Sequence, residues 1–182
     1  MKKIDITLFL GLIFASCNPE SKFATEIKTI TNFNKTVDSL ETVFNSINVD
    51  SVKYIQTTAS EYEKMIKMHY ITDTIDQEFA QKMNDIKAVR KGLSSFDRDQ
   101  KLIVSEIDAL RLQYKNLDSD IKNGILNSNQ VKTYMAEEEK ALYNLGQNVN
   151  TVYENQKRQF VNFYYSNELV ATMVKQLKLK QD

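Results

Sequence analysis

The sequence of 182 residues holds one cysteine, Cys17, and one histidine, His69. Chemistry that needs paired thiols or an imidazole dyad therefore has nothing to build on. In a helical bundle a histidine ligand wants a carboxylate three residues before it, and Ile66 stands there, so His69 reads as a structural or surface residue. Carboxylates cluster at Glu61-Tyr62-Glu63 and at Glu137-Glu138-Glu139. Successive helical positions point about 100° apart, so these groups spread around a helix and do not converge. Glu63 with Lys67 and Glu154 with Arg158 have the spacing of ordinary surface ion pairs. There is no glycine-rich phosphate loop and no Glu-x-x-His repeat. No catalytic residue, cofactor or metal ligand is expected, and the chain reads as a non-enzyme.

What chemistry there is sits at Cys17. Lys2 and Lys3 give a positive start, an apolar run extends from Leu8 to Phe14, and Ala15 and Ser16 are small residues suited to a cleavage point. A spanning helix needs about 18 or more apolar residues, so this run is a targeting segment. Phe14-Ala15-Ser16-Cys17 resembles a bacterial lipobox, with Phe14 where Leu is usual. Asp5 is an unusual residue for the start of such a signal. The resemblance implies a diacylglyceryl group on the Cys17 thiol, cleavage before Cys17, and acylation of the new amino group. The alternative is a small-residue cleavage site followed by an incidental cysteine, although a lone thiol gives an exported protein no internal disulfide. The expected division is a signal peptide over 1–16, a lipidated Cys17 with a short tether over 17–22, and one helical domain over 23–182. Two or three acyl chains hold a protein on a bilayer, whereas one binds reversibly. The tether Asn18 to Ser21 reaches at most about 14 Å, which keeps the domain near its membrane.

Composition bounds the domain. Cleavage removes Lys2, Lys3 and Asp5 from 24 basic and 24 acidic side chains, leaving one more acidic than basic. A near-neutral chain gives no electrostatic case for nucleic acid. One proline and four glycines leave few helix breakers, which points to an all-α fold.

Helical heptads follow. Phe23, Ile30, Val37 and Phe44 recur every seven residues, with Phe33, Leu40 and Ile47 offset by three, predicting a helix over about 21–47. Asn48-Val49-Asp50 interrupts it, with Asp50 placed to cap the next helix. Val52, Ile55, Ala59, Tyr62, Ile66 and His69 carry that helix to Tyr70. Thr74 with Gln77 forms a capping box ahead of Phe79, Met83, Ile86, Val89 and Leu93. Gly92 and Ser94-Ser95 then mark either a short break or a kink, since Phe96 restarts the stripe almost in phase, with Ser95 a fair cap. From 96 to 121 the pattern is clearest: Phe96, Ile103, Leu110 and Leu117, then Ile107, Tyr114 and Ile121. Asp97 with Lys101 and Asp118 with Lys122 support an exposed face. Gly124 ends this helix, and Asn127 or Ser128 caps the next, predicting a long antiparallel hairpin over about 96–164. The returning stripe uses Val131, Met135, Leu142, Leu145, Val149, Val152 and Phe163, diluted by Glu138, Gln156 and Gln159.

Phe160-Val161-Asn162-Phe163-Tyr164-Tyr165 is the most aromatic passage, and its rings cannot all face one stripe. One reading folds the chain back at Ser166-Asn167, so that a short helix over about 168–179 packs Leu169, Val170, Met173 and Leu177 onto the rings. The other leaves Phe160, Tyr164 and Tyr165 as a partner surface. Lys175, Lys178 and Lys180 make a basic tail that could meet anionic head groups.

The whole chain, from Phe14–Cys17 through the heptads to the turn Asp120-Ile121-Lys122-Asn123-Gly124-Ile125-Leu126 and the later Tyr134 and Glu137-Glu138-Glu139-Lys140, resembles small coiled-coil lipoproteins of Bacteroidota. The resemblance implies the outer membrane and carries no activity. The absence of an acidic run after Cys17 favours the periplasmic leaflet over the cell surface. The expectation is an elongated antiparallel helical bundle, held to the membrane through lipid on Cys17, that acts as a non-catalytic scaffold or binding module for another envelope protein. A periplasmic holdase is the alternative, and a small-molecule or metal-binding bundle or enzyme comes third. Oligomeric state stays open, because a heptad stripe can be satisfied within or between chains.

Overall fold

The computed structural model describes residues 19–74 and 76–180. Cys17 and the signal segment lie outside these residues. The described chain is all-α: α1 Pro19–Lys22, α2 Ala24–Asn45, α3 Val49–His69, α4 Gln77–Leu93, α5 Phe96–Lys122 and α6 Ser128–Leu179. The short tether expected before Phe23 is already helical from Pro19, and the amides of Phe23 and Ile27 bond to the carbonyls of Pro19 and Phe23.

These elements form three arms. Along α4 and α5, Asp85 meets Ser166, Gly92 meets Asn155, Glu106 meets Asn148 and Tyr114 meets Glu138 of α6. Numbers rise on one side as they fall on the other, so the expected hairpin is antiparallel and extends back through α4. In the same sense Tyr70 meets Phe79, Glu63 meets Arg90, Asp38 meets Arg111 and Phe33 meets Tyr114. Leu40, Tyr54 and Tyr62 lie beside Gly146, Phe163 and Asn167, so the first arm runs parallel to the third. The same pairing of arms continues through both interruptions. They are bends in continuing arms, and the molecule is an up-down-up bundle. At 1.5 Å per residue, α6 alone spans about 78 Å.

The caps show how the sequence sets these joints. Asn48, not Asp50, accepts the Ser51 amide at 2.8 Å. The asparagine keeps extended backbone angles, which an N-cap requires. Likewise Asp76, not Thr74, caps α4 by accepting the Phe79 amide at 3.0 Å, while the Thr72 hydroxyl is spent on the Thr74 carbonyl. Ser95 makes no side-chain cap and keeps helical angles, since the chain there is bending and not starting afresh. Asn127 and Gln130 form a capping box for α6. Gly124 has φ +68°; its amide bonds to Ile121 O, and the Ile125 amide bonds to Asp120 O. That pair of bonds closes α5 as a Schellman turn, which needs the left-handed conformation glycine tolerates.

The core follows the heptads. Phe96, Ile103, Ile107, Leu110, Tyr114, Leu117 and Ile121 are all buried, as are Phe23, Ile30, Val37, Phe44 and Ile47. Burial of each such large side chain contributes about 1.5–3 kcal/mol.

Candidate interaction surface

The expected reversal at Ser166-Asn167 does not occur, because α6 continues unbroken to Leu179. Ser166 is fully buried and its hydroxyl donates to Asp85 Oδ2 at 3.1 Å. Asn167 Oδ1 accepts from the Tyr62 hydroxyl at 3.1 Å. Burial, with smaller contributions from Tyr54 and Glu61, pushes the Tyr62 hydroxyl pKa up, so it remains a donor. Two residues that resemble a turn are thus fastened to α4 and α3. Val170 and Val174 join the common core and do not fold back on the rings, and Leu177 is buried beyond them.

The aromatic passage splits by helical angle. Phe163 is fully buried and meets Tyr54 edge-on, with ring centroids 6.4 Å apart. Tyr164 is 60% exposed and stands edge-on to Phe163 at 5.5 Å and to Phe160 at 6.5 Å. Tyr165 is 74% exposed, and the Lys82 ammonium of α4 sits 3.2 Å from its ring centroid. Of the three residues expected at a partner surface, Tyr164 and Tyr165 present their rings to solvent, whereas Phe160 is half-buried. Val161 of the same passage and Tyr54, whose ring meets Phe163, are also exposed. Edge-on ring pairs and an overlying cation hold amphipathic rings with few rotamers to lose, which suits them to contact.

Beneath this patch lies a polar belt where the first two arms bend. The last carbonyls of α4 have no partner within their own helix. Asn155 Nδ2 donates to Gly92 O at 2.7 Å, and Gln56 Nε2 donates to Leu93 O. Gln159 donates to Asn155 Oδ1 at 3.1 Å and lies over Gly92, where a Cβ would come within 2.5 Å of its amide nitrogen. Gln156 and Gln159 are therefore buried members of the core. They dilute the stripe where two arms bend.

Glu63 departs furthest from the sequence reading. It is buried, bonded to Lys67 at 2.7 Å and to Arg90 of α4 at 2.6 Å. The Lys67 bond holds its carboxyl below the ordinary range against the opposing effect of burial, with Arg90 adding to the lowering. The signal was present: Gln56, Glu63 and Tyr70 recur every seven residues, and each meets α4. Arg158 donates to Asn155 Oδ1 in place of the expected pairing with Glu154, while Lys122 and Asp118 form theirs at 2.7 Å.

His69 is the half-buried last residue of α3. Among the described residues, no three His, Cys, Asp or Glu groups converge as metal ligands. Among those residues, no helix is long and apolar enough to cross a membrane. The chain matches no protein-family model, no curated protein and no solved structure.

Proposed function

We infer that this protein is a membrane-tethered, non-catalytic scaffold of the bacterial envelope. Lipid on Cys17 holds it, and its three-armed bundle presents an aromatic surface to another envelope protein. The observation that carries the reading is the position of Tyr164 and Tyr165. They are exposed on a helix whose neighbouring residues are pinned to both other arms. Pro19, two residues after Cys17, lies at the opposite end of that helix's bundle, against Gly124. Thirty-six residues of helix separate Ser128 from Tyr164, so the surface stands about 54 Å from the tethered end. The location implied by the resemblance is the outer membrane, and the absence of an acidic run after Cys17 favours its periplasmic face over the cell surface.

The test is photo-cross-linking in intact cells with the lipid anchor retained. A photoreactive residue replaces Tyr164 or Tyr165 in turn, with exposed Tyr143 on the anchor-side half of α6 as the control. A discrete adduct of one size from 164 and 165, and none from 143, supports the reading. No adduct from any position, or the same diffuse adducts from all three, counts against it.

A further inference from the structure

The two ends of the bundle differ in a way that bears on how it meets a bilayer. At one end the α5–α6 turn lies against Pro19: a Cβ on Gly124 would sit 3.2 Å from Pro19 Cγ. At the tip of this turn Ile125 is 64% exposed. From Ile121 to Ala136 the chain carries Lys122 and Lys132 and no carboxylate. At the other end the α3–α4 connection has an equally bare apolar residue, Ile71 at 92% exposure. That connection, however, is followed by Asp73, Asp76 and Glu78 with no basic residue among them. The lysines at the end of α6, Lys178 and Lys180, stand at this far end too.

Chain length decides which end faces lipid. Only Asn18 separates Cys17 from Pro19, a span of at most about 7 Å. We propose that the α5–α6 turn is a second membrane contact, with Ile125 entering the head-group region beside the lipidated Cys17, so that the bundle stands upright on the bilayer. This rests on the lipid-tether reading above. One isoleucine would not hold a protein on a membrane, but beside an acyl anchor it has only to fix orientation. Lys122 is bonded to Asp118 at 2.7 Å and lies near Glu20, so the turn presents no strong net charge to head groups, and its seating rests on the short tether and on Ile125. Upright seating separates the lysine tail from the same bilayer by the length of α6.

The lipidated full chain offers a direct test, because its one cysteine is consumed by lipid and any introduced thiol is unique. Ile125→Cys, Ile71→Cys and Tyr165→Cys variants are labelled with an environment-sensitive fluorophore. They are then reconstituted in phosphatidylethanolamine–phosphatidylglycerol vesicles containing doxyl-labelled lipid. The expected result is a blue shift and quenching at 125, with neither at 71 nor 165. If the protein floats with vesicles but 125 is unquenched, or 165 is quenched equally, upright seating is overturned while the tether stands. If the protein does not float and mass spectrometry finds no lipid on Cys17, the tether and the seating fall together.

Discussion

Glu63 and Glu138 both lie in core-facing stripes, and their surroundings move them in opposite directions. Glu63 is held ionised by Lys67 and Arg90, so its carboxyl sits below the ordinary 4.5. Its contribution to stability is complete above that ordinary value and is lost as pH falls through the lowered folded value. Glu63→Gln should cost about 2 kcal/mol at neutral pH, because Arg90 is left facing a partly buried site without its charge partner. Urea unfolding across pH should show the difference narrowing in acid. Glu138 is half-buried; one of its oxygens is buried without a partner, and burial with Glu137 raises its carboxyl. The penalty is complete above the raised folded value and vanishes below the unfolded one, so stability rises on acidification through that window. Glu138→Gln should therefore raise the unfolding free energy at pH 7, by about 1 kcal/mol, and lose that advantage near pH 4. A loss of stability at pH 7 would show that the carboxylate is serving a contact. Glu138 stands out only as a dilution of its stripe, and Glu63, although it falls in the seven-residue series of Gln56 and Tyr70, looks like a surface partner of Lys67 until α4 brings Arg90 to it.

At the scale of elements, the two bends were the hard part of the sequence. Phe79, Ile86, Leu93, Ile107, Tyr114 and Ile121 keep one seven-residue series through Ser94-Ser95, and Val89, Phe96, Ile103, Leu110 and Leu117 keep the other. An unbroken series means that the core face does not rotate, so the signal for a bend was present in the phase. At Asn48 the series slips by one residue, from Phe44 to Val52, and the sequence could not say whether the chain reversed there. Ser166-Asn167 misled for a different reason. Their partners, Asp85 and Tyr62, lie more than eighty residues away in sequence, and a local reading has only turn propensity to go on. The polar belt makes a sharp prediction at Gly92. An alanine there gains about 1 kcal/mol of helix propensity, yet its methyl would overlap Gln159 and displace the amide that holds Asn155. Gly92→Ala should come out destabilising by about 1–3 kcal/mol, read as a lower urea midpoint; a neutral or raised midpoint would mean that Gln159 moves freely. Gly124→Ala should also destabilise, by about 1 kcal/mol, since its φ of +68° is unfavourable for a side chain.

Over the described residues the three arms satisfy their heptad stripes within one chain, and all the buried hydrophobic residues but Leu177 form one continuous core. That much follows from the periodicity, the few breakers and the Gly124 stop. Residues 18–182 made without the lipid should therefore be helical, cooperative in unfolding and long, with a maximum dimension by small-angle scattering of about 80 Å, the length of α6. A value near that of a sphere of the same mass would show that the arms fold back in solution. The functional reading adds direction to this rod: one end at the bilayer, the aromatic surface well above it. Every statement about height and reach depends on Cys17 carrying lipid. The decisive measurement is metabolic labelling with palmitate, together with fractionation, of the wild type and Cys17→Ala. The wild type should take up label and remain with the membrane fraction, and the variant should lose both. A variant that still labels and still fractionates with membrane would contradict the account at its root.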